Sequence, residues 1–236
     1  ALQSSIIFID DAPDGSLSGV SEDIVIAPQT TTGAGQIAVI NNTDDSNIVT
    51  VDFTTIEDIS VFVNDGSARN TDTLTVLGTI SGDVMTVNLA NAGNDTEPLI
   101  DIDSSTGTQL LQIENIQVAT PNTGAVPTLA PLAQLGISTG NSDDTINVVG
   151  RTDGATTVNI DAGNPPGRDT IALDATTGND IYVLAPGAQH DSGEIAVSPT
   201  GSTATTINFA GTQAITISSP GLHLASGDGG MYALPF

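Results

Sequence analysis

A strand–turn–strand phrase occurs three times in this chain, and that recurrence constrains the fold more than any other feature. The copies run from Val61-Phe62-Val63-Asn64-Asp65-Gly66 to Asp72-Thr73-Leu74-Thr75-Val76, from Leu135-Gly136-Ile137-Ser138-Thr139-Gly140 to Asp144-Thr145-Ile146-Asn147-Val148, and from Val158-Asn159-Ile160-Asp161-Ala162-Gly163 to Asp169-Thr170-Ile171-Ala172-Leu173. Each joins a short alternating strand to a Gly-containing polar loop, an Asp-Thr pair and a second alternating strand. Alternation puts every other side chain on one face, so each strand buries one side and wets the other. Internal repetition of this kind predicts stacked or tandem β-units, a scaffold architecture more often than an enzyme's. Ile146, Val148, Ile171 and Leu173 should then face one common apolar layer.

A longer unit encloses the phrase. One copy spans Glu22-Asp23-Ile24-Val25-Ile26 to Val61, a second Asp72 to Val118, and a third Asp169 to Ile217. Their interior strands correspond, with Val84–Leu89 matching Ile181–Leu184 and Leu99–Ile102 matching Ile195–Val197. Each unit reads as four or five short strands separated by Gly/Asn/Asp/Ser turns, and no useful segment carries a helical period. The predicted class is all-β, with tandem β-repeats forming either a β-solenoid-like array or stacked β-sandwiches. Aromatic residues make up only 3 % of the chain and Trp is absent, so Val, Ile, Leu, Ala and Thr must build thin layers between sheets.

Residues 1–20 read as an N-terminal strand arm, 21–226 as the repeated body and 227–236 as a C-terminal tail. The stretch 119–135 offers an internal boundary, because Pro121, Pro127 and Pro131 favour extended chain over a central strand. It serves either as a linker or as a loop lying across one continuous array. Ile6, Ile7, Phe8 and Ile9 are consecutive apolar residues, followed by the acidic turn Asp10-Asp11-Ala12-Pro13-Asp14-Gly15. A strand apolar on both faces suits burial between two layers, and residues 1–12 are expected to pair with a neighbouring copy as an assembly arm.

The chain holds 28 acidic residues against 3 basic ones, for a formal net charge of −25. Nucleic acid and anionic membranes are excluded as partners by this balance, since both require clustered Lys and Arg. No apolar run reaches bilayer-spanning length. Multivalent cations or a screening medium suit such a surface. Aspartates flank the phrase turns: Asp65 and Asp72 in the first, Asp143 and Asp144 in the second, Asp161 and Asp169 in the third. Calcium takes six to eight hard oxygen ligands, which carboxylates and carbonyls of one tight loop can supply. Asp equally caps turns by accepting nearby backbone N–H groups. Asn41 and Asn94 head N-glycosylation sequons, so glycans are expected partners there. A chain opening on Ala1 fits removal of an export signal.

Catalytic constellations are scarce. His190 and His223 stand in no metal-ligand spacing, Cys and Lys are absent, and no Gly-x-Ser-x-Gly elbow occurs. A carboxylate pair of the glycosidase kind has no distinguishing signal among so many acids.

The Asp-Thr-Ile/Leu-x-Val phrases and their closing strands resemble tandem repeats of large secreted bacterial surface proteins, of the calcium-associated and S-layer-like kind. The resemblance covers residues 22–221. Gly227-Asp228-Gly229-Gly230 is an isolated relative of the stricter calcium-binding nonapeptide. The family implies an extracellular structural role. Composition and resemblance together point to a non-catalytic subunit of a surface layer or fibre, self-assembling through β-strand contacts as a homo-oligomer or homopolymer. The alternative is a calcium-dependent adhesin or carbohydrate-binding module, which the presence of only Tyr182, Tyr232 and five Phe disfavours.

Overall fold

The computed structural model describes residues 5–10, 22–41, 46–56, 58–63, 73–89, 98–118, 134–150, 157–163, 168–174, 180–199, 205–218 and 223–226. These hold β1 (Ser5–Asp10), β2 (Glu22–Pro28), β3 (Gly35–Asn41), β4 (Ser46–Phe53), β5 (Asp58–Val63), β6 (Thr73–Leu77), β7 (Asp83–Asn88), β8 (Pro98–Ser104) and β9 (Gln109–Val118). They continue with β10 (Gln134–Ser138), β11 (Thr145–Val149), β12 (Thr157–Asp161), β13 (Thr170–Asp174), β14 (Asp180–Pro186), β15 (Gly193–Pro199), β16 (Thr205–Ala210), β17 (Ala214–Ser218) and β18 (His223–Ser226).

An eight-stranded sheet takes the order β1-β5-β9-β8-β7-β11-β13-β17, and a ten-stranded sheet the order β18-β14-β15-β16-β12-β10-β6-β2-β3-β4. The chain passes between the sheets at β6–β7, β10–β11, β12–β13 and β16–β17, and each crossing forms one rung. Neighbouring rungs pair in parallel without a register shift: Leu74↔Leu135, Leu135↔Val158 and Val158↔Ile207 on one sheet, Met85↔Ile146, Ile146↔Ile171 and Ile171↔Ile215 on the other. Alternating residues of both sheets meet in one core that includes Leu74, Val76, Met85, Val87, Leu135, Ile137, Val158 and Ile160. Ile146, Val148, Ile171 and Leu173 are all buried in it, as alternation predicted.

Two of the three phrases are equivalent rungs, β10–β11 and β12–β13. The first is not. Its opening strand β5 lies in the eight-stranded sheet and its second, β6, in the ten-stranded one, so it crosses in the opposite sense. The rung that stacks on β10–β11 is Leu74–Val87, whose turn Gly78-Thr79-Ile80-Ser81-Gly82-Asp83 lacks the Asp-Thr signature. At the turns, glycines sit directly over one another. Gly140, Gly163 and Gly211 have φ of 94°, 88° and 72°. A Cβ on Gly163 would collide with the Gly140 carbonyl, and one on Gly211 with the Gly163 carbonyl.

The long repeat is more regular than the sequence suggested. β1–β6 and β13–β18 are two copies of one six-strand module. Four pairings recur in both: β1 with β5 and β13 with β17 in parallel, β2–β3–β4 and β14–β15–β16 as antiparallel meanders, and β2 with β6 and β14 with β18 in parallel. Ala27-Pro28, Gly35, Ile37-Ala38-Val39 and Phe53 correspond to Ala185-Pro186, Gly193, Ile195-Ala196-Val197 and Phe209. Turn hydrogen bonds recur too: Gln29 N–H to Ala34 O and Gly187 N–H to Ser192 O, both 2.8 Å, and Ile56 N–H to Gly33 O and Thr212 N–H to Asp191 O, at 2.9 and 3.1 Å. Gly35 and Gly193 each face the phenyl ring of the matching Phe and the carbonyl of the matching Ala. The opening strand Glu22–Ile26 therefore matches β14, not Asp169–Leu173; the closing strands of the first and third copies match as expected, whereas those of the second, Leu111–Val118, lie in the single strand β9. Period-2 alternation is the same in every strand and cannot tell these matches apart; the hydrogen-bonded turns distinguish them.

β1 pairs with β5 of its own chain, Ile6↔Ile59 and Phe8↔Val61. Ser5–Asp10, expected to pair with a neighbouring copy, is thus paired along one edge within its own chain, and residues 1–4 and 11–12 lie outside the described residues. Asn41 ends β3, opposite Glu22 and Ser46, and so stands on a strand and not in a loop. Asn94, the stretch 119–133 and the tail 227–236 lie outside the described residues.

Thr55 occupies the position of Gly211 and shares its left-handed backbone, with φ 62°. A β-branched residue is disfavoured there. Thr55→Gly is expected to raise stability by about 1 kcal/mol in denaturant titration. Gly163→Ala should lower it by roughly 3 kcal/mol, because strain and a backbone clash combine. Gly107→Ala, at φ 80° with open space around it, should cost only about 1 kcal/mol.

Candidate functional site

The stacked rungs bring one side chain from each turn into a column: Asp83, Asp144, Asp169 and, at its exposed end, Gln213. All three aspartates are buried. Each group accepts the backbone N–H of the preceding member. Asp83 N–H donates to Asp144 Oδ1 at 2.8 Å, Asp144 N–H to Asp169 Oδ1 at 2.9 Å, and Asp169 N–H to Gln213 Oε1 at 2.5 Å. The column begins at Asp83, whose carboxylate accepts the Thr79 amide at 2.5 Å and its hydroxyl at 2.9 Å. It ends where Gln213 donates through Nε2 to the Gly211 carbonyl at 2.7 Å. The turns bulge away from the ladder, so their first strand amides have no sheet partner; a short carboxylate from the next rung is the acceptor within reach.

Burial raises the pKa of Asp83, Asp144 and Asp169. At Asp144 desolvation outweighs the hydrogen bond from the Asp83 amide and the nearby Thr139 hydroxyl, and the charges of Asp83 and Asp169 add to it, lifting the carboxyl to about 6. Asp144 Oδ2 and Thr139 Oγ1 are buried side by side with neither in hydrogen-bond geometry to any partner. Asp169 is raised first by desolvation, with Asp143 contributing and the Asp144 amide opposing.

The sequence-predicted ligands separate under this geometry. Asp144 and Asp169 come together and face inward. Asp143 and Asp161 are exposed, where Asp143 Oδ1 accepts the Arg168 N–H at 2.8 Å and Asp161 Oδ1 the Gly163 N–H at 3.0 Å. All four thus take part in backbone capping. Asp65 and Asp72 lie outside the described residues. Among the described residues no group of three His, Cys, Asp or Glu is placed to hold a metal ion. Asp83 and Gln213 were missed because neither is followed by Thr; the shared signal was an Asp or Gln two residues before the first buried apolar position of the strand.

On the outer face of the ten-stranded sheet, Thr75, Gly136, Asn159 and Asn208 form a row across β6, β10, β12 and β16. Asn208 Nδ2 donates to Asn159 Oδ1 at 2.9 Å. The missing side chain at Gly136 leaves a shallow open groove there, lined also by Ser138 and Asp161. No protein-family model, curated protein or solved structure matches this chain.

Because the folded-state pKa of Asp144 lies above its ordinary 3.8, the stability it confers is complete below about pH 4 and is lost as pH rises through about 6. Asp83 and Asp169 act in the same direction. Denaturant titration should therefore find the protein more stable near pH 5 than at pH 7.5, with Asp144 alone worth about 1.4 kcal/mol between them. Asp144→Asn keeps the Oδ1 acceptor without the charge, so it should flatten that pH dependence and hold or raise stability at pH 7.5. Asp144→Ala leaves the Asp83 amide unpaired and should cost about 1–3 kcal/mol at both pH values.

Proposed function

We propose that this chain is a non-catalytic structural subunit of an extracellular surface layer or fibre, a two-sheeted β-solenoid broken by antiparallel meanders. The observation that carries this reading is the aspartate column. Its three aspartates are the most deeply buried acids among the described residues and all have raised pKa values, and perturbed carboxylates are the natural candidates for acid–base chemistry. Here Asp144 and Asp169 are each committed to a backbone amide of the adjoining rung and Asp83 to the Thr79 amide of its own turn, roles that stabilise the turns and their stacking. Two modules of the same strand order and pairing flanking further rungs support the same reading, since repeat arrays gain stability from interfaces between neighbours.

Cations act in this reading on the net charge of −25, whose self-repulsion opposes both folding and assembly. Calcium in the exposed acidic turns is part of the proposal and has its own test. Chelation at constant ionic strength should lower the melting temperature, and calcium should restore it where sodium chloride at matched ionic strength does not. Full restoration by sodium chloride would assign the effect to screening.

Negative-stain electron microscopy tests the structural role. Purified protein at rising concentration in high salt should form extended ordered assemblies. Discrete particles under every salt and concentration condition would instead favour a binding module.

A further inference from the structure

The two sheets do not end together. The rungs align β6 with β7, β10 with β11, β12 with β13 and β16 with β17. Counting outward from β6 and β7 leaves three strands in the ten-stranded sheet and four in the eight-stranded one. β1 therefore projects one strand beyond β4, and no described strand lies opposite it. The free edge of β4 and the projecting β1 form a step one strand deep.

Module equivalence shows what fills such a step. β16 and β13 are the counterparts of β4 and β1, and there β12 takes the place, paired in parallel with β16 and lying opposite β13. Its Val158 and Ile160 are buried in register with Ile207 and Phe209. With β12 present, Thr205 and Ile207 are 0 % and 1 % exposed. Val49 and Val51, their counterparts on the core side of β4, are 42 % and 37 % exposed. β1 pairs Ile6 and Phe8 with the buried Ile59 and Val61, so its register carries the core row beneath the step.

The depth of the step selects its occupant. It admits a single extended segment with two apolar residues two positions apart, as Val158 and Ile160 are, because alternate side chains share a face. Residues 11–21, between β1 and β2, contain no such pair, and 119–133 are interrupted by Pro121, Pro127 and Pro131. Residues 231–236 alternate Tyr232, Leu234 and Phe236 and carry no charged side chain, in a chain of net charge −25. Pro235 is tolerated because the incoming strand has a neighbour on one side only.

Reach decides whose segment it is. β18 precedes these residues, and it and β4 are opposite edges of the ten-stranded sheet, nine strand spacings or about 43 Å apart. Residues 227–236 extend at most about 35 Å, before any of them lies along β4. A chain cannot fill its own step with this segment; a second copy can.

We propose that residues 231–236 of a second copy enter the step as an added strand, pairing with the free edge of β4 opposite β1. Backbone hydrogen bonds to β4 and apolar contact with Val49 and Val51 hold it there. Donor and acceptor lie at opposite ends of the body, so the contact is heterologous and copies add head to tail. This inference rests on the structural-subunit reading above and names its joint. The net charge opposes approach, so association strengthens as salt screens it.

The test uses full-chain variants that each block one partner. Val49→Lys/Val51→Lys places charge in the step, and Tyr232→Asp/Leu234→Asp places it on the incoming strand. Sedimentation velocity in 1 M sodium chloride should show the wild type growing with concentration. Each variant should associate at least about 10-fold more weakly while keeping its circular dichroism spectrum. Mixed, the two variants retain one working partner each, so a 1:1 pair should form and grow no further. A synthetic peptide of residues 227–236 gives a second readout. It should bind the Tyr232→Asp/Leu234→Asp chain one to one in calorimetry and protect β4 amides from hydrogen exchange, and bind the Val49→Lys/Val51→Lys chain at least about 10-fold more weakly. A peptide that binds neither chain would overturn the inference. Tyr232→Asp/Leu234→Asp chains that assemble like wild type would overturn the occupant in favour of another edge, such as β18, and leave the structural role standing. β4 amides already protected in dilute wild type without peptide would overturn the inference in favour of a covering segment from the same chain. Peptide binding at β4 without ordered polymers in the microscope would uphold the joint and count against the fibre reading.

Discussion

The stacking of turns in register is the constraint on which the rest of this structure depends. Parallel strands from successive rungs can align only if the turns joining them also superpose, and turns carry amides that the sheet cannot satisfy. A carboxylate from the next rung answers that need for the Asp83 and Asp144 amides, and the side-chain oxygen of Gln213 answers it for the Asp169 amide. Because each acceptor belongs to a different rung from its donor, the hydrogen bonds fix register between rungs as well as capping each turn. The glycines complete the constraint. A side chain at Gly163 or Gly211 would hold neighbouring turns apart and, with them, the sheets.

Burying three carboxylates one above another has a cost that the chain meets by raising their pKa. Desolvation is the leading cause at each, so the column is most comfortable when partly protonated. The protein thus carries two electrostatic loads of different origin. One is local, set by burial of the column and insensitive to salt. The other is the exposed excess of acid, which salt screens. They separate experimentally, since pH moves the first most strongly and ionic strength the second.

The repeat explains both the cohesion of the body and its incompleteness. Inside the chain, β9–β12 cover one face of each module and bury its inward-facing residues fully. Among the described residues the outer faces of the same modules have no such cover, and there the core positions Val49, Val51 and Leu184 stand partly open. A repeat array is stable through interfaces, so a cut end leaves apolar surface and unpaired strand edges together. Thr55 illustrates the difference at a single residue. Its counterpart Gly211 lies under the Gly163 carbonyl and admits no side chain, whereas the exposed Thr55 keeps one.

The sequence by itself determined the all-β class, the strand positions and the core. Alternation alone identifies Ile146, Val148, Ile171 and Leu173 as buried, because a strand's two faces are fixed by its backbone period. It also determined that Asp recurs at strand entrances, and left open whether those carboxylates serve cations or backbone amides. Tertiary structure decided which turns are equivalent. Leu74–Val87 joins the stack without the Asp-Thr signature, and the first phrase, which has it, crosses the other way. It also decided that Asp144 and Asp169 turn inward to a neighbouring rung while Asp143 and Asp161 stay at the surface. The physical reason is that period-2 patterning is identical in every strand and silent about partners. Register and partner choice come from hydrogen bonds between residues 25 and 61 positions apart, which no local pattern encodes.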